Sequence, residues 1–185
     1  MIKYEELSFD KLNIYETIDF KYTTNKIYKL NKINRGLGGI LLKESSIKTY
    51  TKDFGNHLSS WTKNIDKSNW KMFIAKDDDK IIGGCIIATK TDDVDMLDGR
   101  KDLAVLWDIR IAENYKHQGI GHTLFNMAKQ WSKKNGFKQL KIECQNTNYN
   151  AVNFYHKENA ILCSIKEFAY KDNPSEVQLL WYLNL

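Results

Sequence analysis

The chain has 185 residues, of which 42% are apolar and 12% aromatic, and it carries a formal net charge of +5. This composition is typical of a globular protein and excludes an intrinsically disordered chain. The longest apolar runs, such as 81–88, are too short to span a bilayer, and the first residues show no signal peptide. We therefore expect a cytoplasmic protein with no membrane partner.

The three cysteines, Cys85, Cys144 and Cys163, show neither metal-ligand nor disulfide spacing. Cys85 and Cys144 lie inside apolar, strand-like runs, which indicates buried and inert thiols. The sequence thus predicts no metal site and a reducing compartment.

Charge is unevenly distributed along the chain. Residues 77–102 carry eight Asp against four Lys or Arg, whereas residues 103–150 carry seven Lys or Arg against three acidic residues. An anionic cofactor near the basic stretch and a cationic substrate near the acidic stretch would both fit this asymmetry. The alternative is that the Asp clusters are solvated turns. No basic helix face with interleaved aromatic residues is present, so we expect no nucleic-acid partner.

Hydrophobic periodicity predicts a series of strands and three helices. In chain order these are strand 2–9, helix 10–17, strands 22–30, 39–42, 70–75, 81–89 and 103–111, helix 120–134, strand 137–144, helix 148–158, and strands 161–170 and 177–183. Gly83 and Gly84 predict a bulge or a close backbone approach in their strand. This order of elements is typical of the α+β (mixed α/β) class, built around one central sheet.

A glycine turn at 115–121 joins the strand 103–111 to the helix 120–134. Glycines allow close backbone approach, and a helix N-terminus offers unpaired N–H groups with a partial positive charge. The spacing is that of neither a P-loop nor a dinucleotide fingerprint. The turn therefore predicts a phosphate site, with a plain structural turn as the alternative. In the helix, one apolar stripe is predicted from Ile120, Leu124, Ala128 and Trp131.

Three motifs, in this order, resemble those of the GCN5-related N-acetyltransferase (GNAT) family, which acetylates amines from acetyl-CoA. They are the strand 107–111, the turn 116–121 with Lys116 where the family has Arg or Gln, and the segment 148–155. The resemblance covers roughly residues 70–170. It implies the GNAT-like acyl-CoA N-acyltransferase fold, a mostly antiparallel twisted central sheet flanked by helices.

The resemblance also implies how the chain is divided and what it binds. Residues 1–185 would form a single domain, with 1–69 as an acceptor-side elaboration, 70–170 as the core that binds coenzyme A, and 171–185 as a C-terminal strand. The cofactor would be acetyl-CoA. Its implied contacts are Ile109, Arg110, Ile111, Lys116, His117, Gln118, Gly119, Ile120, Gly121, His122, Asn148, Ala151, Phe154, Tyr155 and Lys157.

Acetyl transfer to an amine sets the requirements for the catalytic residues. A free amine has a pKa near ~10 and arrives protonated, so a base must accept its proton. Glu143 and Asp108 are the candidate bases, because each is a carboxylate among apolar neighbours. The alternative for both is a salt bridge to Arg110 or Lys141. A backbone N–H near Ile109 or Arg110 would stabilise the oxyanion.

By the family resemblance, Tyr155 would donate a proton to the leaving thiolate; the alternative is a core tyrosine. The C-terminal segments 168–170 and 174–182 resemble the streptothricin-acetyltransferase branch of the family. That branch acetylates a polycationic antibiotic, which implies substrate contacts from Asp108, Tyr170, Glu176 and Trp181. Acidic residues of the acceptor face would be Asp92, Asp93, Asp95 and Asp98.

The sequence therefore predicts an acetyl-CoA-dependent N-acetyltransferase that acts on a primary amine of a small cationic acceptor, with streptothricin as one candidate. A protein or peptide N-terminal acetyltransferase is the first alternative, and a non-enzymatic module that binds coenzyme A or nucleic acid is the second. We expect a monomer or a homodimer.

Overall fold

The structure is a computed structural model that describes residues 1–55 and 58–185. Its contacts divide the chain into two compact units. The first unit comprises Met1–Phe20, Phe54–Ile142 and Leu183–Leu185, and the second comprises Lys21–Asp53 and Glu143–Tyr182. The expectation of a single domain over 1–185, with its three segments, stays a prediction.

The described residues form thirteen helices and strands. They are β1 (Ile2–Glu6), α1 (Leu12–Tyr15), β2 (Lys21–Lys32), β3 (Ile40–Asp53), α2 (Leu58–Trp61), β4 (Lys71–Asp77), β5 (Lys80–Thr89), β6 (Leu103–Ile111), α3 (Ile120–Lys134), β7 (Gln139–Gln145), α4 (Tyr149–Lys157), β8 (Ile161–Lys166) and β9 (Gln178–Asn184).

Within the described residues, one sheet of seven strands has the order β1-β4-β5-β6-β7-β9-β8, and β2 and β3 form a separate two-stranded ribbon. β6 and β7 pair in parallel, whereas β1–β4, β4–β5, β5–β6 and β8–β9 pair antiparallel. The predicted α+β class with a mostly antiparallel sheet is confirmed.

The predicted bounds hold best where the hydrophobic period is strongest. β6 and α3 have the predicted limits of 103–111 and 120–134. The prediction for 39–42 was wrong in extent, because β3 continues to Asp53 along a ladder that pairs it with β2 from Ile40–Lys32 to Asp53–Lys21. The first helix is also shorter than predicted, since residues 9–11 form a 3-10 turn before α1.

In the first unit, the hydrophobic core lies between the sheet and α1. Its fully buried side chains include Tyr15, Met72 and Ile74, which are 0% exposed. Ile120, Leu124 and Ala128 of α3 are buried as predicted, and the ring of Trp131 stacks on Phe137 at 6.0 Å between centroids. This burial fixes the N-terminus of α3 beside the strand that precedes it.

The close backbone approach predicted at Gly83 and Gly84 is confirmed. A Cβ on Gly84 would lie 2.5 Å from Cε2 of Tyr15 and 2.8 Å from the carbonyl oxygen of Phe73, and a Cβ on Gly83 would lie 2.7 Å from Cδ1 of Ile111. Only glycine at position 84 therefore lets the Tyr15 ring come so close to β5.

The second unit is built around the β2–β3 ribbon. The ring of Tyr28 in β2 stacks on Tyr149 in the first turn of α4, with 5.4 Å between centroids and 17° between planes. The hydroxyl of Tyr28 donates to Oδ1 of Asn153, also in α4, at 3.1 Å. The ribbon thus packs directly on the helix that carries the third GNAT-like motif.

Candidate active site

The turn that precedes α3 has the geometry of an anion-binding site. Among the described residues, no main-chain acceptor is bonded to the N–H groups of 118–121. Gly119 is the N-cap of α3, at φ 82°, and α3 has no side-chain cap. A Cβ on Gly119 would meet no atom within 4 Å. These N–H groups, at the positive end of a 15-residue helix, can therefore bind an anionic group such as a diphosphate.

The side chains around the turn contribute little to this site. Lys116 Nζ is bound to Glu113 Oε2 at 2.6 Å, and both residues lie at the surface. His122 pairs with Asn126 at 2.8 Å along the exposed face of α3, and His117 is exposed at φ 62°. The anion-binding capacity of the turn is thus a property of the main chain.

β6 presents one free edge next to this turn. Its residues Leu103–Leu106 pair with β7, whereas residues 108–111 have a ladder partner only in β5 among the described residues. The N–H of Ala112 donates to Ile82 O at 2.8 Å. Because main-chain groups alternate between the two edges of a strand, those of Ile109 and Ile111 point away from β5. An extended ligand can pair with them as an added strand does.

Arg110 lies in a different position from its two neighbours. The main chain of Arg110 pairs with Gly84 in β5. Its side chain lies on the opposite face of the sheet from that of Ile109. The guanidinium stacks over the rings of Tyr15 and Phe20, at 5.1 and 4.3 Å from their centroids. The contact with the cofactor predicted for Arg110 stays a prediction, and in this structure its guanidinium and its main chain contact other parts of the first unit.

Asp108 forms the salt bridge that was the alternative to a catalytic role. Its Oδ2 accepts from Nε and Nη2 of Arg110, and both side chains are 2% exposed. Nη1 of Arg110 donates to Ile18 O at 3.2 Å. Burial raises the pKa of Asp108, and the Arg110 charge opposes that rise. The carboxylate thus has a fixed cation and minimal exposure, which makes it a poor proton acceptor for a soluble amine.

Glu143, the other candidate base, is in the second unit and is half-buried. Its Oε1 accepts a hydrogen bond from the hydroxyl of Tyr170. Burial raises the pKa of Glu143, whereas the Tyr170 hydrogen bond and the Lys52 charge lower it and the Glu176 charge raises it. Burial and the Glu143 charge in turn raise the pKa of Tyr170, so this phenol stays protonated and donates.

Glu176 is bound within the second unit rather than offered to a substrate. Its side chain is 11% exposed, and its Oε2 accepts from Lys52 Nζ at 2.5 Å. Its Oε1 accepts from Thr147 Oγ1 at 3.0 Å, and Thr147 in turn contacts the Tyr22 hydroxyl at 3.1 Å. Each carboxylate oxygen thus has one partner inside the second unit, and the predicted substrate contact of Glu176 stays a prediction.

The motif 148–155 forms the start and the middle of α4. Asn148 caps the helix, with its Oδ1 accepting from Ala151 N at 3.2 Å, so a contact with a cofactor is left to its Nδ2. Tyr155 is 6% exposed and packs edge-on against half-buried Phe154, at 5.4 Å between centroids. Lys157, in the last turn, is exposed.

Two other predicted substrate residues are also engaged or buried. Trp181 is 5% exposed in β9, and no acceptor for its Nε1 is found in the described part of the chain. In the first unit, Asp98 accepts from Lys141 Nζ at 2.8 and 2.9 Å, which neutralises one charge of the predicted acidic face. Asp92, Asp93 and Asp95 remain exposed.

Three residues that hold polar contacts of the second unit are not predicted from the sequence: Lys52, Asn146 and Tyr28. Lys52 binds Glu176, and Asn146 exchanges hydrogen bonds with Tyr28. The only local signal was the run of polar residues 145–148 between a strand and a helix. Their partners lie more than 100 positions away, so no local pattern could identify these contacts.

Over 1–55 and 58–185, no helix is long and apolar enough to cross a bilayer. The same residues contain no group of three or more His, Cys, Asp or Glu side chains placed to hold a metal ion. Cys85, Cys144 and Cys163 are free thiols, and the first two are buried as predicted.

Comparisons with known proteins support the family predicted from the motifs. Residues 34–159 match the acetyltransferase (GNAT) family. Streptothricin acetyltransferase A of Bacillus subtilis (strain 168) is 33% identical over 81 residues, which are 43% of this chain and 47% of that protein. The alignment thus spans about half the length of that relative. Streptothricin acetyltransferase of Escherichia coli is 24% identical over 174 residues, which cover 91% of this chain and 90% of that protein.

A solved structure shows the same fold over the whole chain. It is a Bacillus anthracis str. Ames protein assigned as a streptothricin acetyltransferase, in complex with acetyl coenzyme A. It has a TM-score of 0.78 and 25% identity, and the match covers 100% of both chains. The predicted fold is confirmed, and the enzyme class and the acetyl-CoA cofactor are confirmed at the level of the family. The chain belongs to the acetyltransferase (GNAT) family.

Proposed function

We propose that this protein transfers the acetyl group of acetyl-CoA to a primary amine of a small cationic acceptor of the streptothricin type. In this proposal the amine attacks directly, Glu143 is the general base and Tyr155 is the general acid. The observation that carries the proposal is the run of N–H groups at 118–121, which no main-chain acceptor among the described residues engages.

The residues of the first unit fit the donor. N–H groups at a helix N-terminus suit a diphosphate, and the open edge of β6 at Ile109 and Ile111 suits an extended arm that carries amide groups. When bound, acetyl-CoA supplies the thioester carbonyl that an amine can attack. The Ile109 N–H, which faces the open edge, is the better of the two predicted oxyanion donors, because Arg110 pairs towards β5.

The choice of Glu143 as base follows from the surroundings of the two carboxylates. Asp108 is held by Arg110 and is 2% exposed, so its charge has a partner already. Glu143 is half-buried and faces a phenol rather than a fixed guanidinium, and its pKa is raised, as is that of Asp108. A raised pKa brings the carboxylate closer to the pKa of the ammonium group whose proton it must accept.

Tyr155 fits the role of proton donor by its type and its placement. A phenol is protonated at neutral pH, and the thiolate of coenzyme A resembles a cysteine thiolate, with a pKa near ~8.5. The helix that carries Tyr155 is capped by Asn148, and the side chain is 6% exposed. Its position is therefore fixed by packing, as a positioned acid requires.

The acceptor class is supported by the relatives and by charge. Two curated relatives are named streptothricin acetyltransferases. Asp92, Asp93 and Asp95 are exposed acidic residues within a short stretch of the first unit and would attract a cation. Because Glu176 and Asp98 are engaged by lysines, the proposal does not include them among the acceptor contacts.

The test is acetyl-CoA consumption against streptothricin, aminoglycosides, polyamines and short peptides with free N-termini, with the acetylated product identified by mass. The proposal expects turnover of streptothricin or another small polycation well above that of the peptides. Turnover of the peptides alone would favour a protein or peptide N-terminal acetyltransferase. Binding of coenzyme A without turnover of any acceptor would contradict the proposed reaction.

A further inference from the structure

Asn146 lies at the point where β7 ends and the chain turns into α4, and it is 5% exposed. The turn is closed by the N–H of Asn148, which donates to Gln145 O at 3.0 Å. α4 begins at Tyr149, directly after its N-cap Asn148, and Tyr155 lies in the second turn of the helix. The direction of α4 is therefore set by the conformation of residues 145–148.

All four polar groups of Asn146 are bonded to just two residues. Its main-chain N–H donates to Val177 O at 2.9 Å, and its side-chain Oδ1 accepts from Val177 N at 2.7 Å. Its main-chain carbonyl accepts from Tyr28 N at 3.0 Å, and its side-chain Nδ2 donates to Tyr28 O at 2.7 Å. The side chain of Asn146 thus adds one hydrogen bond to each of the two residues that its main chain already binds.

The partners of Asn146 are themselves fixed. Tyr28 lies in the β2–β3 ribbon, with its ring on Tyr149 and its hydroxyl on Asn153, both in α4. Val177 is 6% exposed and directly precedes β9. Asn146 therefore connects the ribbon and the segment before β9 to the start of α4, within the second unit.

We propose that Asn146 is a positioning residue for acetyl transfer: by bonding Tyr28 and Val177 with all its polar groups, it fixes the turn into α4 and so places Asn148 and Tyr155. The inference rests on the roles that the proposed function gives to Asn148 and Tyr155. Asparagine is needed because it supplies one donor and one acceptor side by side, each matched to a main-chain group. A misplacement of about 1 Å in a catalytic group can lower turnover by about 100-fold.

The first test compares Asn146→Ala with a control of similar chemistry elsewhere. Thr91 is 8% exposed in the first unit, where its Oγ1 accepts from Trp70 Nε1 at 2.8 Å and donates to Thr89 O at 2.9 Å. Thr91→Val removes buried hydrogen bonds without touching α4. Both variants should lose thermal stability, but only Asn146→Ala should lose turnover, by about 10- to 100-fold. An equal effect of the two variants on kcat and on KM would overturn the proposal.

The second test uses a pH-dependent rescue. In N146D, the introduced carboxyl can donate to Tyr28 O only while it is protonated, and once ionised it would face that carbonyl oxygen. The ratio of N146D turnover to wild-type turnover should therefore fall as pH rises. Glu176, which accepts from the adjoining Thr147, and Lys52, which donates to Glu176, are charged groups of the same unit and are common to both proteins. A ratio that stays constant with pH contradicts the proposal.

The third test needs no acceptor and separates this inference from the proposed function. Hydrogen exchange is measured on the amides of 148–155 in the folded full-length protein. Asn146→Ala should increase their exchange rates, and Thr91→Val should leave them as in the wild type. Faster exchange in a protein that acetylates no acceptor would disprove the proposed reaction but keep the positioning role. Unchanged exchange in Asn146→Ala would disprove the positioning role itself.

Discussion

The hydroxyl of Tyr170 donates a hydrogen bond to Oε1 of Glu143. Burial raises the pKa of this carboxyl, while the phenol and the charge of Lys52 favour its ionised form. Glu143 therefore titrates above the usual range of a glutamate and retains a polar partner when it is ionised. In the proposed reaction this is the balance that a general base needs, because a carboxylate with an ordinary pKa is too weak a base for an ammonium proton.

Tyr170→Phe should move the acidic limb of the pH–rate profile to higher pH. Removal of a donor to the carboxylate disfavours the charged form, so the pKa of Glu143 rises and a higher pH is required to ionise it. The measurement is kcat/KM for the acceptor across pH, with Tyr4→Phe as the control. Glu143→Gln should lower turnover at every pH. An acidic limb that does not move in Tyr170→Phe would exclude Glu143 as the titrating base.

Gly121→Asp should abolish binding of coenzyme A. The substitution places a carboxylate in the first turn of α3, beside the N–H groups proposed to bind the diphosphate, where it repels the anion. Gln130→Asp is the matched control, since it puts the same charge on an exposed position of the same helix. Calorimetric titration of both variants with coenzyme A measures the difference. Equal affinities would place the diphosphate elsewhere.

Tyr155→Phe should lower kcat by about 10²- to 10⁴-fold, the contribution typical of a positioned general acid. The affinity for coenzyme A should change little, because the ring and its packing on Phe154 are retained. Steady-state kinetics and a binding titration on the same preparation separate the two effects. Full turnover in the variant would make Tyr155 a core residue, which was the alternative from the sequence.

The pair Asp108–Arg110 should matter for stability and not for proton transfer. Arg110→Met alone leaves a carboxylate at 2% exposure without its cation, which should lower the free energy of unfolding by about 3–5 kcal/mol. The double variant D108N/R110M removes both charges and should recover most of that loss. Urea unfolding and acetyl-CoA consumption are measured on each variant. A folded double variant without turnover would restore Asp108 as the base.

The fold was predictable where local periodicity and packing agree. Ile120, Leu124 and Ala128 recur at helical spacing and are buried in α3. The strand 103–111 alternates clearly and has the predicted bounds. By contrast, β3 between Lys43 and Asp53 is stabilised by its ladder with β2 and has many exposed residues, so its hydrophobic pattern is too weak to indicate a strand.

The site was predictable to a different degree in its two halves. The turn 115–121 functions through main-chain groups, and glycine spacing reports main-chain conformation directly. The Asp108–Arg110 pair was foreseen as an alternative because residues i and i+2 share one face of a strand. The Glu176–Lys52 pair joins residues 124 positions apart, so the local sequence around Glu176 predicts a free acidic group there.

The central claim is that the main-chain N–H groups of 118–121 bind the diphosphate of the acetyl donor. The most direct measurement is the change in their amide NMR signals on titration with coenzyme A and, separately, with pantetheine, which lacks the diphosphate. Coenzyme A should shift the signals of these residues strongly, whereas pantetheine should leave them unchanged and affect 109–111. Signals of 118–121 that respond equally to both ligands, or to neither, would contradict the claim that these N–H groups bind the diphosphate.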